Sequence, residues 1–184
     1  AVVIMDSLED AEMIKLINNS FRDLSFAFAN ELALICQAYN LDAARIIRAA
    51  NEGYPRNPIP LPSPGVGGPC LTKDPYFYAL VAERAGVTDT LAVRGRKVNE
   101  RIPVEIAERV VSILADNGVA PDAARVLVVG LAFKGWPETS DVRNSASLIM
   151  VERLRSLGVK ELRGVDPVVP AEELSRLGLT VFQT

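Results

Sequence analysis

Cys70 is the residue whose setting is best suited to chemistry. It closes the run Gly65-Val66-Gly67-Gly68-Pro69-Cys70 and stands just ahead of an apolar segment of helical character, residues 75–85. A thiol at a helix N-terminus gives up its proton more readily, because free backbone N–H groups and the helix dipole favour an anion there; Lys73 would add a positive charge. The resulting thiolate is a nucleophile. The glycines permit close approach of backbone to a ligand, as anion-binding loops require. The bland reading of the same residues is a small side chain packed beneath a flexible loop. Cys36, on the apolar side of a long helical segment, reads as core.

Lys15 and Asn19 are four residues apart and share a helix face, where an ammonium beside an amide could hold a developing oxyanion. On the residues alone, a surface lysine with its charge in water beside a polar amide is the favoured account of them. Asn30-Glu31, further along that helix, reads as a structural hydrogen-bonding pair. Near the other end of the chain, Gly130-Leu131-Ala132-Phe133-Lys134 follows a strand, and ligands of parallel sheets bind beyond the carboxyl ends of the strands. Lys134 is therefore placed to meet an anionic group. Arg143 opens the next helix and could grip a phosphate or carboxylate with both arms of its guanidinium. A basic loop on a solvated rim is the alternative for both.

What is missing narrows the chemistry. The 184 residues contain no histidine, which removes Ser–His–Asp triads, Cys–His pairs and the commonest metal ligand; no metal site is expected. Nothing in the sequence points to secretion, so the two cysteines read as free thiols of a cytoplasmic protein. The net charge of −3 argues against a nucleic-acid partner held by bulk electrostatics. No apolar run is long enough to span a membrane. G-x-G-x-x-G, the dinucleotide-binding fingerprint, does not occur.

The elements that must position these groups fall into two grammars. Residues 6–39 predict one long helix, with Ser7 and Asp10 at its start and Ile14, Ile17, Phe21, Leu24, Phe28, Leu32 and Ile35 as a single buried stripe. Residues 42–51 predict a second helix, capped by Asn40 or Asp42. Pro55, Pro58, Pro60, Pro62 and Pro64 then lead into the glycines, a loop that forms neither helix nor central strand. Residues 88–117 predict a long helical stretch in which Pro103 marks a kink or a break. From Arg125 the pattern changes. The run 125–131 reads as a buried strand, followed by a helix over 145–157, a strand at 162–165, a helix at 171–177 and a strand at 179–182. That alternation implies a doubly wound parallel α/β unit, cut short after its third strand. The expected fold is thus α/β overall: an all-α domain over residues 1–120 and a partial doubly wound domain over 121–184.

Four segments together carry a resemblance: Ala11-Glu12-Met13-Ile14-Lys15-Leu16-Ile17-Asn18-Asn19, Phe28-Ala29-Asn30-Glu31-Leu32, Pro64 to Pro75, and Gly130-Leu131-Ala132-Phe133-Lys134 with Asp141-Val142-Arg143. In this order they resemble the UDP-glucose/GDP-mannose dehydrogenase family. The resemblance implies a helical dimerisation domain and the first half of a Rossmann-like domain for the nucleotide-sugar, without the N-terminal NAD-binding domain, so that the chain is a piece inactive on its own. It implies oxidation of the C6 alcohol of a UDP-sugar to the uronate in two hydride transfers to NAD. Cys70 would attack the aldehyde stage to give a thiohemiacetal and then a thioester. Lys15 and Asn19 would steady the oxyanion, and Asp74 would position or activate water. Arg56, reaching the ligand of a partner subunit, would bind substrate with Gly67, Gly68 and Lys134, and Arg143 would lie near the cofactor. The spacer between Lys134 and Asp141 is longer than is usual in the family. Phe21-Arg22-Asp23 and Phe28-Ala29-Asn30-Glu31-Leu32-Ala33 lean toward the UDP-N-acetylmannosamine branch. The rival expectation is a non-catalytic dimerisation or regulatory module bearing a nucleotide-binding half-domain.

Overall fold

The computed structural model describes residues 2–56 and 58–182. They form two compact units: residues up to 63 with 70–99, and residues 64–69 with those from 100 onward. The first is helical. Ser7 starts α1 (Leu8–Ala38), its Oγ accepting from the Asp10 N–H at 3.1 Å, and Asp42 starts α2 (Ala43–Asn51) in the same way through Arg45 N at 3.0 Å. The proline-rich segment that follows is fastened to α2: Asn51 both donates to and accepts from the backbone of Ile59, at 2.8 and 2.9 Å. After it comes α3 (Asp74–Arg84) and then α4 (Leu91–Asp116).

The stripe expected to be buried on α1 lies outward. Ile14, Ile17, Phe21, Phe28 and Ile35 are exposed, Phe21 by 73%. The side of α1 that packs within the unit is instead small and polar: Ser20, Asp23, Ala27 and Asn30, spaced three or four apart. Small residues bring helices close. On α4, a Cβ at Gly95 would stand 2.8 Å from Leu24 Cδ1 and 3.3 Å from Ala27 Cβ, so only glycine admits this approach. Nor does Pro103 end a helix, because α4 continues through it. The proline cannot donate to the carbonyl of Asn99; its ring is fully buried, and long stretches of helix on either side sustain the element.

The second unit is a parallel sheet in the order β1 (Arg125–Val129), β2 (Glu161–Val165), β3 (Thr180–Val181), with α5 (Ala146–Ser156) and α6 (Ala171–Arg176) as crossovers. Two crossovers that step the same way, each right-handed as such connections are, lay both helices on one face of the sheet. Val128, Leu131, Val151, Leu154, Leu162 and Leu174 make up the core on that face. Leu127 and Val129 point away and are 41% and 73% exposed, so β1 is covered on one side only, not on both as its continuous apolar run suggests.

Asp166 ties the carboxyl ends of β1 and β2 together. Its Oδ2 accepts from the N–H groups of Leu131 and Ala132 at 2.7 and 3.1 Å, and its Oδ1 from Val168 and Val169, both at 2.9 Å. Burial opposes ionisation of this carboxyl, but the four donors outweigh it and hold the pKa below the ordinary value. Because both oxygens face donors, an asparagine cannot replace it: the amide NH2 would meet two N–H groups. Asp166→Asn is expected to cost about 2–3 kcal/mol in a urea melt, and a loss below about 0.5 kcal/mol would contradict the clamp. A depressed folded-state pKa gives stability that is present above the unfolded value and lost as pH falls through the folded one. The penalty should therefore shrink on acidification below about pH 4.

Candidate active site

Asp74 opens α3, and its carboxylate is only 1% exposed. A buried charge needs partners, and this one has three. Asn19 Nδ2 donates to Oδ2 at 2.5 Å, Lys73 Nζ to Oδ1 at 2.5 Å, and Lys15 Nζ stands 3.9 Å from Oδ2. Burial pushes the carboxyl up, but the bonds from Lys73 and Asn19, helped by the charges of Lys73 and Lys15, bring it below its usual pKa. It is thus a carboxylate at neutral pH. Lys15 is 60% exposed, less sheltered than its place in the sequence suggests, so its ammonium has N–H groups turned to solvent. These groups border a cleft of about 540 Å³ between α1 and α3, walled also by Leu16 and Phe77.

Cys70 is exposed and Cys36 is buried, both as free thiols. The carbonyl of Cys70 accepts from the N–H groups of Lys73 and Asp74, at 3.2 and 2.9 Å, so the cysteine begins the turn that α3 extends. It precedes the helix by one turn rather than capping it; Lys73 occupies the cap. Lys73, expected to assist the thiol, gives its ammonium to Asp74 and lies 5.1 Å from the centre of the Phe77 ring. Arg56 sits in the exposed turn after α2.

The remaining candidates belong to the second unit. Gly67 and Gly68 are packed against protein. A Cβ on Gly67 would fall 2.2 Å from the carbonyl oxygen of Asn144, and one on Gly68 2.5 Å from the Phe133 ring. Gly68 N also donates to Asn144 O at 3.0 Å. Their lack of side chains admits the Asn144 carbonyl at Gly67 and the Phe133 ring at Gly68. Lys134 is exposed, its Nζ 5.5 Å from the centre of the Phe133 ring. Arg143 closes on Asp141: Nε donates to both carboxylate oxygens at 2.9 and 3.0 Å and Nη2 to Oδ2 at 2.7 Å. Those bonds hold Asp141 at a pKa of about 2.

The sequence matches the central domain of the UDP-glucose/GDP-mannose dehydrogenase family over residues 9–101 and the UDP binding domain of the same family over residues 127–184. The chain belongs to this family. It is 40% identical over 167 residues to the UDP-N-acetyl-D-mannosamine dehydrogenase of Pyrococcus horikoshii, an alignment covering 91% of this chain and 38% of that protein. Its fold resembles the solved UDP-D-ManNAc dehydrogenase from P. horikoshii, with a TM-score of 0.77 at 42% identity over 88% of this chain and 37% of that one. It also resembles a UDP-glucose dehydrogenase from Pyrobaculum islandicum, with a TM-score of 0.81 at 26% identity over 95% and 40% of the two chains. The chain thus spans about two fifths of the length of these dehydrogenases.

The family's central domain holds a buried polar assembly, of which sequence reasoning named Asn30 as a hydrogen-bonding residue and passed over Asp23, Arg96 and Asn99. Arg96 and Asp23, 1% and 0% exposed, form an ion pair at 2.8 Å, and Asn99 Nδ2 donates to Asp23 Oδ1 at 3.0 Å and to its carbonyl at 2.8 Å. Asn30 Nδ2 donates to Asn99 Oδ1 at 2.9 Å. The signal was there: Asp23 and Asn30 lie two turns apart on α1, Arg96 and Asn99 one turn apart on α4, so each pair shares a face. Among the described residues no helix is long and apolar enough to cross a membrane.

Proposed function

We propose that this chain is the thiol-bearing and sugar-nucleotide-binding portion of an NAD-dependent dehydrogenase that oxidises C6 of UDP-N-acetylmannosamine to the uronate. The observation that carries the reading is the buried Asp74 carboxylate, gripped by Asn19 and Lys73 with Lys15 beside it, one helical turn after an exposed cysteine. Identity of 40% to a UDP-N-acetyl-D-mannosamine dehydrogenase supports the choice of sugar.

In this scheme the Cys70 thiolate adds to the C6 aldehyde carbon, forming a C–S bond and leaving an oxyanion that Lys15 and Asn19 stabilise. Loss of hydride from that thiohemiacetal gives a thioester. Water, its proton taken by Asp74, then adds to the thioester carbonyl and expels the thiolate, leaving the carboxylate product. Arg56, Gly67, Gly68 and Lys134 are assigned to the sugar nucleotide. NAD supplies the acceptor for the hydrides of both oxidations. Arg143, paired to Asp141 through its guanidinium, is assigned to the edge of the cofactor site. Most of the cofactor's site is assigned to another part of the whole enzyme.

The outward apolar stripe of α1 is assigned to a second copy of the chain, since Phe21, Phe28 and Ile35 on one exposed helix face mark an association surface. The whole enzyme, supplied with UDP-N-acetylmannosamine and NAD, is expected to form NADH and uronate in a ratio of about two to one, and to be a dimer by light scattering. Absence of turnover with this sugar alongside turnover of UDP-glucose would overturn the substrate assignment. A monomer would overturn the pairing.

A further inference from the structure

The assembly of Asp23, Arg96, Asn99 and Asn30 reaches the backbone on both sides of the glycine–cysteine segment. Arg96 Nη1 donates to the carbonyl of Leu71, the residue after Cys70, at 3.2 Å as well as to Asp23. Asn30 Oδ1 accepts from the N–H of Ser63, just before Pro64, at 2.8 Å. Asn99 joins the two halves, bonded to Asp23 on one side and to Asn30 on the other. Four polar side chains, each 1% exposed or less, are thus strung between the two ends of the loop.

We propose that this assembly is a positioning device for Cys70: Arg96 fixes the carbonyl that follows the cysteine, Asn30 fixes the amide where the loop departs, and the Asp23 carboxylate and Asn99 hold both in place. An apolar core would hold α1 against α4 at lower desolvation cost, and a buried ion pair is by itself weak as a source of stability. What hydrogen-bonding groups add here is a fixed point for a specific backbone atom. The guanidinium suits the task because its donors are rigidly disposed and can satisfy a carboxylate and a carbonyl at once. A lysine keeps the charge and the pairing to Asp23, but its freely rotating ammonium does not fix two N–H directions, toward Asp23 and Leu71, as the planar Nη1 does. A thiol that must meet an aldehyde carbon at bonding distance is sensitive to displacements of about 1 Å. The proposal rests on reading Cys70 as the nucleophile, and the test keeps the two apart.

Amide hydrogen exchange of this chain carrying Arg96→Lys or Asn30→Ala forms the first arm. Exchange is expected to quicken by about tenfold or more in the 71–74 turn for Arg96→Lys and at Ser63 for Asn30→Ala, with the amides in the middle of α1 unchanged. No local change, or an equal change throughout α1 and α4, overturns the proposal. The second arm is turnover of the whole dehydrogenase bearing Arg96→Lys: kcat should fall by about tenfold with KM for the UDP-sugar within about twofold, because Arg96 acts through the backbone of Leu71 and not on the ligand. An unchanged kcat with a loosened turn overturns it as well. If Cys70→Ser forms uronate at the full rate while the exchange result stands, the nucleophile assignment fails and the anchoring of the loop does not.

Discussion

Cys70→Ser in the whole enzyme is expected to lower uronate formation by about a thousandfold or more while leaving the thermal midpoint where it was. The first half follows from acidity. An ordinary thiol ionises near pH 8.5, and a serine hydroxyl is far weaker as an acid, so the substituted enzyme has almost no anion to offer an aldehyde at neutral pH. No histidine exists in this chain to act as the base that serine nucleophiles require. The second half follows from structure. The Cys70 side chain is exposed, and the turn it begins is made by its carbonyl, which serine retains. Cys36→Ser makes the contrasting control. That thiol is 3% exposed, so a hydroxyl there should cost stability and leave turnover per folded molecule intact. Product analysis by chromatography checks both. Uronate made by the Cys70→Ser enzyme at the normal rate would sink the covalent scheme.

Gly67→Ala is expected to destabilise by about 3 kcal/mol. The added carbon would stand 2.2 Å from the carbonyl oxygen of Asn144 and 3.1 Å from the amide nitrogen of Ala146. Those are backbone atoms at the start of α5 and cannot swing aside as a flexible side chain would. The segment 64–69 must lift, and the hydrogen bond from Gly68 N to Asn144 O goes with it. Because Pro69 leads directly into Cys70, turnover should fall as well, by about a hundredfold if the thiol moves by 1 Å. A urea melt and steady-state kinetics on the same preparation decide the matter. A variant as stable and as active as the parent would mean that the loop does not rest on Asn144. Gly130, where a Cβ would meet nothing within 4 Å, supplies the comparison, although its φ of 86° adds strain of its own.

Much of this was legible in the residues. The switch from helical spacing to alternating strand and helix near Arg125 gave the parallel sheet, and Ser7 and Asp42 marked two helix starts by their capping chemistry. Lys15 and Asn19 were found as a pair because four residues of helix must set them side by side. Three features were not legible, each because a distant partner decides it. Two stripes run along α1 at equally good helical spacing, and periodicity favours the apolar one. Only Arg96 and Asn99, some seventy positions away, turn Asp23 and Asn30 into interior residues. Lys73 adjoins both Cys70 and Asp74 in sequence, and the burial of the Asp74 carboxylate settles which of them receives the ammonium. The bare side of β1 depends on both crossovers lying on one face, a property of strand order that no local pattern contains.

The unequal shelter of the two sulfurs has a practical consequence. A chromogenic thiol reagent has one equivalent to consume in the native chain and two after unfolding, since Cys36 is enclosed and Cys70 lies open. The molecule therefore carries its own stoichiometric gauge. The fast equivalent follows the chemistry of the loop, and the slow one counts how often α1 comes away from its neighbours.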